Sequence, residues 1–319
     1  MITTKSIWLV AVAWLALGLV GCSPPAEAPV EDAEEVATEE ASESRDNFFD
    51  SDGVQIHYTD TGEGDPLVLI HGFAMNLKRM ESAGVVDGLA ERGYRVLAID
   101  ARGHGESGRP QDPAAYGEEI PLDVVRLIDH LGFEQAYVVG YSMGAIVTNK
   151  VRALAPEKLR AVVMGGAGWQ KEGGTALPGI SSVKLAEKLE ETGDFKWMLE
   201  EFVKDRQPPA TEEEIEERNN RMMEGNDPIA LAAVLRGWDG FAVSEENLRA
   251  NEVPTLVVVG ANDPLKVKVD DLDGVMSNLE IVVIPDQDHG ALSHPDFVKH
   301  VDEFLSKHPL GSDEPETDE

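Results

Sequence analysis

The chain has 319 residues, of which 60 are acidic and 27 are Lys or Arg, giving a net charge of −33 and a pI near 4.5. This excess of acid repels nucleic acid and anionic lipid headgroups, so neither is a partner by simple electrostatics. Hydrophobic residues at 42% suffice for a large core, and the single cysteine excludes a disulfide framework.

Residues 1–21 place one cation, Lys5, ahead of an apolar stretch from Ile7 to Val20. A membrane span needs about 20 apolar residues, so this shorter stretch is expected to be the core of a secretory signal. "LVGC" at Leu19–Cys22 resembles the lipobox of bacterial lipoproteins. That resemblance implies cleavage before Cys22, lipid on its sulfur and attachment to a membrane of the cell envelope. By the lipoprotein sorting pattern, Ser23 implies the outer membrane, facing the periplasm, in a Gram-negative host. Residues 22–46 follow with nine acids against Arg45, too polar to bury surface that would offset chain entropy. They are expected to be a disordered tether, and residues 309–319 a similar acidic tail.

Between these ends, residues 47–168 and 252–308 alternate strand and helix. "VQIHY" from Val54, "PLVLIHG" from Pro66 and "YRVLAID" from Tyr94 have strand composition, with one helix expected over Asn76–Arg92. A helix from Ile120 ends at Gly132, then come the strand "QAYVVG" from Gln135, a helix over Met143–Leu154 and the strand "RAVVMGG" from Arg160. Further on lie the strands "TLVVVG" from Thr255 and "LEIVVIP" from Leu279, then a helix over Asp296–Ser306. Continuous Val/Ile/Leu runs alternating with helices predict a mostly parallel α/β sheet flanked by helices on both faces. Residues 169–251 show helical segments alone and are expected to form a cap over one end of the sheet.

"GYSMG" at 140–144 follows the buried run "AYVV" and opens a helix. A GxSxG in that context is a nucleophile elbow: the glycines relieve crowding at a turn too sharp for larger side chains, leaving Ser142 projecting from the strand's end. A serine hydroxyl is a weak nucleophile near neutral pH, so it needs a base, and the base needs an acid to hold it. Asp263 in "GANDP" and His289 in "DHG" each stand just past a downstream strand, in the order Ser, Asp, His and at the sheet edge where such folds bind ligands. Asp288 adjoins His289 and is poorly placed to face its ring, Asp286 is expected to cap a turn, and Asp239 falls in the cap. The backbone N–H groups of Phe73, in "HGF", and of Met143 are expected to form the oxyanion hole. Phe73, Met143 and Trp169 are expected to line an apolar pocket.

With "HGF" at 71–73, "DARGHGESG" at 100–108, "GYSMG", "GANDP" and "DHG", residues 50–308 resemble the α/β-hydrolase superfamily, in its esterase-like branch with a helical cap. The resemblance implies an α/β-hydrolase fold, an acyl-enzyme on Ser142 and a small carboxylic ester as substrate, with neither metal nor cofactor. Haloalkane dehalogenases and epoxide hydrolases of this superfamily use aspartate where this chain has Ser142, and proline iminopeptidases carry "HGGPG" where it has "HGFAM". A carbon–carbon bond hydrolase, a lactonase or a perhydrolase would use the same triad, and a surface-anchored binding module could retain the fold without the chemistry.

Overall fold

A computed structural model describes residues 46–206 and 208–311. Signal segment, Cys22 and nearly all of the acidic tether and tail lie outside the described residues. Eight strands form one sheet: β1 (Asp46–Ser51), β2 (Val54–Thr61), β3 (Asp65–Ile70), β4 (Tyr94–Ile99), β5 (Ala136–Tyr141), β6 (Leu159–Gly165), β7 (Thr255–Gly260) and β8 (Leu279–Ile284). Their spatial order is β1-β2-β4-β3-β5-β6-β7-β8, antiparallel from β1 to β2 and from β2 to β4, and parallel thereafter.

The parallel strands are apolar throughout because both faces are covered. Along β3, Leu67 and Leu69 point to one face while Val68 and Ile70 point to the other, and all four are fully buried. On the first face lie α1 (Leu77–Ser82), α2 (Val85–Ala90) and α11 (Pro295–Leu305), through Leu77, Leu89, Phe297 and Val301. The opposite face takes α3 (Glu119–His130) and α4 (Met143–Leu154), through Ile120, Val124, Val147 and Val151. Each such side chain contributes about 1.5–3 kcal/mol by leaving water.

Helices α5 (Ser182–Thr192), α6 (Lys196–Val203), α7 (Glu212–Met223), α8 (Pro228–Arg236) and α9 (Glu245–Ala250) fill the interval between β6 and β7, and α10 (Lys266–Asp270) follows β7. Ala230 to Leu235 of α8 are all buried, which explains that helix's uniformly apolar composition.

Three expectations are corrected. Asp46, assigned to the tether, begins β1, whose Phe49 is buried while Phe48 is exposed. The single helix over Asn76–Arg92 is two short helices, because Gly84 between them adopts φ 74°, a left-handed conformation that ends the first turn set. Leu310, assigned to the tail, packs against the core face that carries α11.

Candidate active site

Ser142 sits between β5 and α4 at φ 57° and ψ −113°, a conformation that side-chain-bearing residues rarely adopt. What holds it there is close backbone approach. A Cβ at Gly140 would overlap the carbonyl of Gly144, and one at Gly144 would overlap the carbonyl of Ile70. The Ser142 amide donates to the Gly165 carbonyl of β6 at 2.7 Å, tying the elbow to the neighbouring strand.

Asp263 and His289 arrive from the loops that follow β7 and β8. His289 Nε2 lies 2.9 Å from Ser142 Oγ, and His289 Nδ1 lies 2.8 Å from Asp263 Oδ2. Since a carboxylate accepts, Nδ1 carries the proton in this network and Nε2 is free to accept from the serine hydroxyl. The second carboxylate oxygen, Oδ1, accepts from the Leu265 amide at 2.8 Å. Asp263 is buried, whereas the imidazole keeps 21% of its surface open to the cleft.

Backbone contacts fix the histidine loop. Asn262 N donates to Gln287 O at 2.8 Å, and a Cβ at Gly260 would collide with that same carbonyl. The Tyr141 hydroxyl donates to the His289 carbonyl at 2.9 Å, and burial pushes that phenol's pKa upward. Asp288 turns away from the ring: its Oδ1 accepts from the Gly290 amide at 2.8 Å. Asp286 adopts φ 58° in the same loop.

A second array faces the serine from the loop after β3. A Cβ at Gly72 would stand 3.2 Å from Ser142 Cβ, so the Gly72 peptide lies directly beside the hydroxyl's carbon. The Gly72 carbonyl accepts from the Met75 amide at 3.1 Å and from His71 Nδ1 at 2.8 Å, while His71 Nε2 accepts from the Ala101 amide at 3.0 Å. C=O and N–H of a trans peptide point in opposite directions. Anchoring the Gly72 oxygen therefore aims the Phe73 N–H away from that anchor, and among the described residues it has no acceptor. Met143 is the first residue of α4, where an amide has no intrahelical partner. The two amides named from the sequence thus belong to residues that line the same cleft as Ser142, and among the described residues neither has an acceptor.

These groups open into a cleft of about 1350 Å³, larger than typical small-molecule sites of about 300–1,000 Å³. Phe73 and Met143 line it, together with Met75, Met198, Met222 and Phe202. The Phe202 ring, from α6, stands edge-on to His289 with centroids 5.0 Å apart. Trp169 does not line the cleft, which corrects that expectation. Its indole N–H donates to the Val243 carbonyl at 2.7 Å and only 7% of the residue is exposed, so it plugs the base of the helical segment. Among the described residues no group of three or more His, Cys, Asp or Glu side chains could hold a metal ion.

Three contributors escaped sequence reasoning. His71 stands in the sequence only as the first letter of "HGF", and its contacts to the Gly72 carbonyl and the Ala101 amide carry its role. Tyr141 reads simply as the last apolar residue of β5, and Phe202 lies on α6, a helix without a sequence signature.

The architecture and elbow define an α/β hydrolase. The alpha/beta hydrolase fold family matches residues 65–292, most of the described chain, and this protein belongs to that family. Among curated relatives, the bifunctional epoxide hydrolase 2 of Sus scrofa is 33% identical over 111 residues, 34% of this chain and 20% of that one. Epoxide hydrolase A of Mycobacterium tuberculosis is 35% identical over 120 residues, 37% of each chain. A putative non-heme chloroperoxidase of Synechocystis is 35% identical over 112 residues, 35% of this chain and 40% of that one. The matched stretch thus spans less than half the length of each of these relatives. Among solved structures, a hydrolase from Pseudomonas aeruginosa aligns with TM-score 0.66 at 24% identity, covering 85% of this chain and 100% of that one. Epoxide hydrolase VrEH1 from Vigna radiata aligns with TM-score 0.64 at 20% identity, covering 82% and 97%. Likeness at these identities speaks for the fold.

Proposed function

We propose that the protein is a serine hydrolase of carboxylic esters. Ser142 Oγ attacks the ester carbonyl while His289 Nε2 takes its proton, and Asp263 holds the imidazole and stabilises its charged form. The amides of Phe73 and Met143 receive the oxyanion. Collapse expels the alcohol, protonated by His289, and water then attacks the acyl-enzyme by the same route to release the acid. The observation that carries this reading is the continuous chain Ser142 Oγ–His289–Asp263 at 2.9 Å and 2.8 Å, ending in a strained elbow.

The chemistry of the nucleophile separates this reading from the activity named for several relatives. A carboxylate that opens an epoxide forms an ester, which water can cleave. A serine alkoxide would form an ether, and the enzyme would be trapped after one turnover. Ser142 on an acyl carbon has no such dead end. The haloperoxidase-named relatives favour one variant, in which hydrogen peroxide replaces water in the second step and releases a peracid. Membrane attachment through lipidated Cys22 would place the activity at the cell envelope. A panel of a short-chain ester, a long-chain ester, a lactone, a vinylogous diketone and an epoxide tests the assignment. Esters are expected to turn over and the epoxide not; epoxide turnover that survives Ser142→Ala would overturn it.

A further inference from the structure

The whole chain carries 60 carboxylates against 27 cations, yet five cations are gathered on the lining of this one cleft. Arg79 of α1 lines it, as do Lys204 and Arg206 just after α6 and Arg218 and Arg221 of α7. Against these five stand four acids, Glu201, Asp205, Asp286 and Asp288. One of the four is already engaged, Asp288 with the Gly290 amide. Another, Glu201, pairs with Lys204 at 3.2 Å.

Pairing sets two of these five cations apart. Elsewhere on the surface guanidinium groups hold carboxylates, as Arg95 holds Asp60, Arg236 holds Glu190 and Arg249 holds Glu245. On the rim itself Arg206 holds Glu214 and Arg221 holds Glu217. Arg79 and Arg218 have no carboxylate partner within ion-pair distance among the described residues, in a chain with more than two acids for every base. Both line the same cleft as Ser142. Arg218 shares a face of α7 with Met222, four residues on and also a lining residue, so its side chain is directed at the cleft.

The same cleft carries an adaptable apolar lining. Met75, Met143, Met198 and Met222 are four of the nine methionines in the chain, and unbranched thioethers accommodate varied chain shapes. We propose that the substrate is an ester whose apolar chain ends in an oxyanion, a carboxylate or a phosphate, which Arg79 and Arg218 receive at the cleft mouth while the ester carbonyl lies at Ser142. A guanidinium binds such groups through two parallel N–H donors and stays charged at any working pH. The rim also serves entry: a molecule of net charge −33 repels anions at long range, but screening confines that field to about 8–10 Å, and the local cations decide the last approach.

This inference rests on the esterase reading, and the experiment separates the two. The full chain is assayed on three chain-matched 4-nitrophenyl esters of long-chain acids that end in methyl, carboxylate or phosphate. The quantity read is the ratio of kcat/KM for each anion-ended ester to that for the methyl-ended one, which cancels any difference in active fraction between variants. The native ratio is expected to exceed one by about fivefold per guanidinium, chiefly through KM, and to fall as NaCl is raised. Arg79→Gln with Arg218→Gln should bring it to about one, whereas Arg249→Gln, remote from the cleft, should leave it as in the native protein. A higher ratio for only one of the two anions identifies the source and supports the proposal. A native ratio of one or less, or a ratio that survives the double substitution, overturns it while leaving the esterase reading intact. Failure to turn over any of the three while a short-chain ester is hydrolysed overturns this proposal alone, and failure on the short-chain ester as well overturns both.

Discussion

The geometry of Ser142 is held by residues outside the Ser142–His289–Asp263 chain. Gly144 is the clearest case, since any Cβ there would meet the Ile70 and His71 carbonyls. Gly144→Ala is expected to lose about 1–3 kcal/mol of stability by overpacking and to misplace the serine; denaturant midpoints and initial rates check both. His71 offers a finer test, because its ring holds the Gly72 carbonyl on one side and the Ala101 amide on the other. Replacing it with Leu leaves the Gly72 carbonyl to the Met75 amide alone and loosens the peptide that aims the Phe73 N–H. The expected result is a fall in kcat of about 100-fold with little change in KM, approaching the loss of one oxyanion donor. His71→Asn, which can still donate to Gly72 O, should recover part of it. Residue identity alone made Ser142, Asp263 and His289 readable, because their order and their positions just past strands leave few rivals. Trp169 misled because a tryptophan beside a cap is as well suited to packing as to lining, and its hydrogen bond to Val243 spans 74 residues of sequence.

The helices between β6 and β7 meet the loop after β3 through the Phe73 ring, edge-on to Phe195 and Trp238, and through hydrogen bonds to its backbone. Asn226 Nδ2 donates to the Ala74 carbonyl at 3.1 Å, and Arg109 Nη2 donates to the Gly225 carbonyl, each joining the α7–α8 turn to the β-sheet domain. Both anchors lie beside the Gly72–Met75 turn that carries the Phe73 amide. Asn226→Ala is expected to raise KM several-fold and to speed proteolysis within the α6–α7 segment, with the thermal midpoint changed little, because the bond is lost at one edge of the cap. Long, periodic elements were legible: Met143–Leu154 and the strands β5 to β8 follow directly from apolar runs and their glycine ends. Short ones were not. β1, of which only Asp46 falls in the acidic stretch, gives no strand signal because as an edge strand it buries one phenylalanine, and α6 has an irregular apolar pattern whose meaning comes from the cleft it lines. The break at Gly84 depends on a backbone angle that composition does not encode.

At the scale of the molecule, stability and activity should separate with pH. Burial holds the His104 imidazole neutral, its pKa lowered to about 3, and lowers that of His71 for the same reason. In the unfolded chain both return to about 6.5. Between pH 6.5 and 4.5 the unfolded state therefore takes up protons that the folded state refuses, so stability is full above 6.5 and falls as pH drops. For His104 the slope approaches about 1.4 kcal/mol per pH unit, and His71 adds to it in the same direction. Denaturant midpoints across that window check the sign, and His104→Phe, which keeps the ring contact with Phe73, should flatten the slope by about one histidine's share. All of this turns on whether the hydroxyl of residue 142 carries the acyl group. The most direct measurement is peptide mapping after labelling with a fluorophosphonate. The account predicts one adduct, on Ser142, prevented by prior turnover-competent ester and lost in His289→Ala. An adduct elsewhere, or ester hydrolysis undiminished in a protein fully labelled at Ser142, would contradict it.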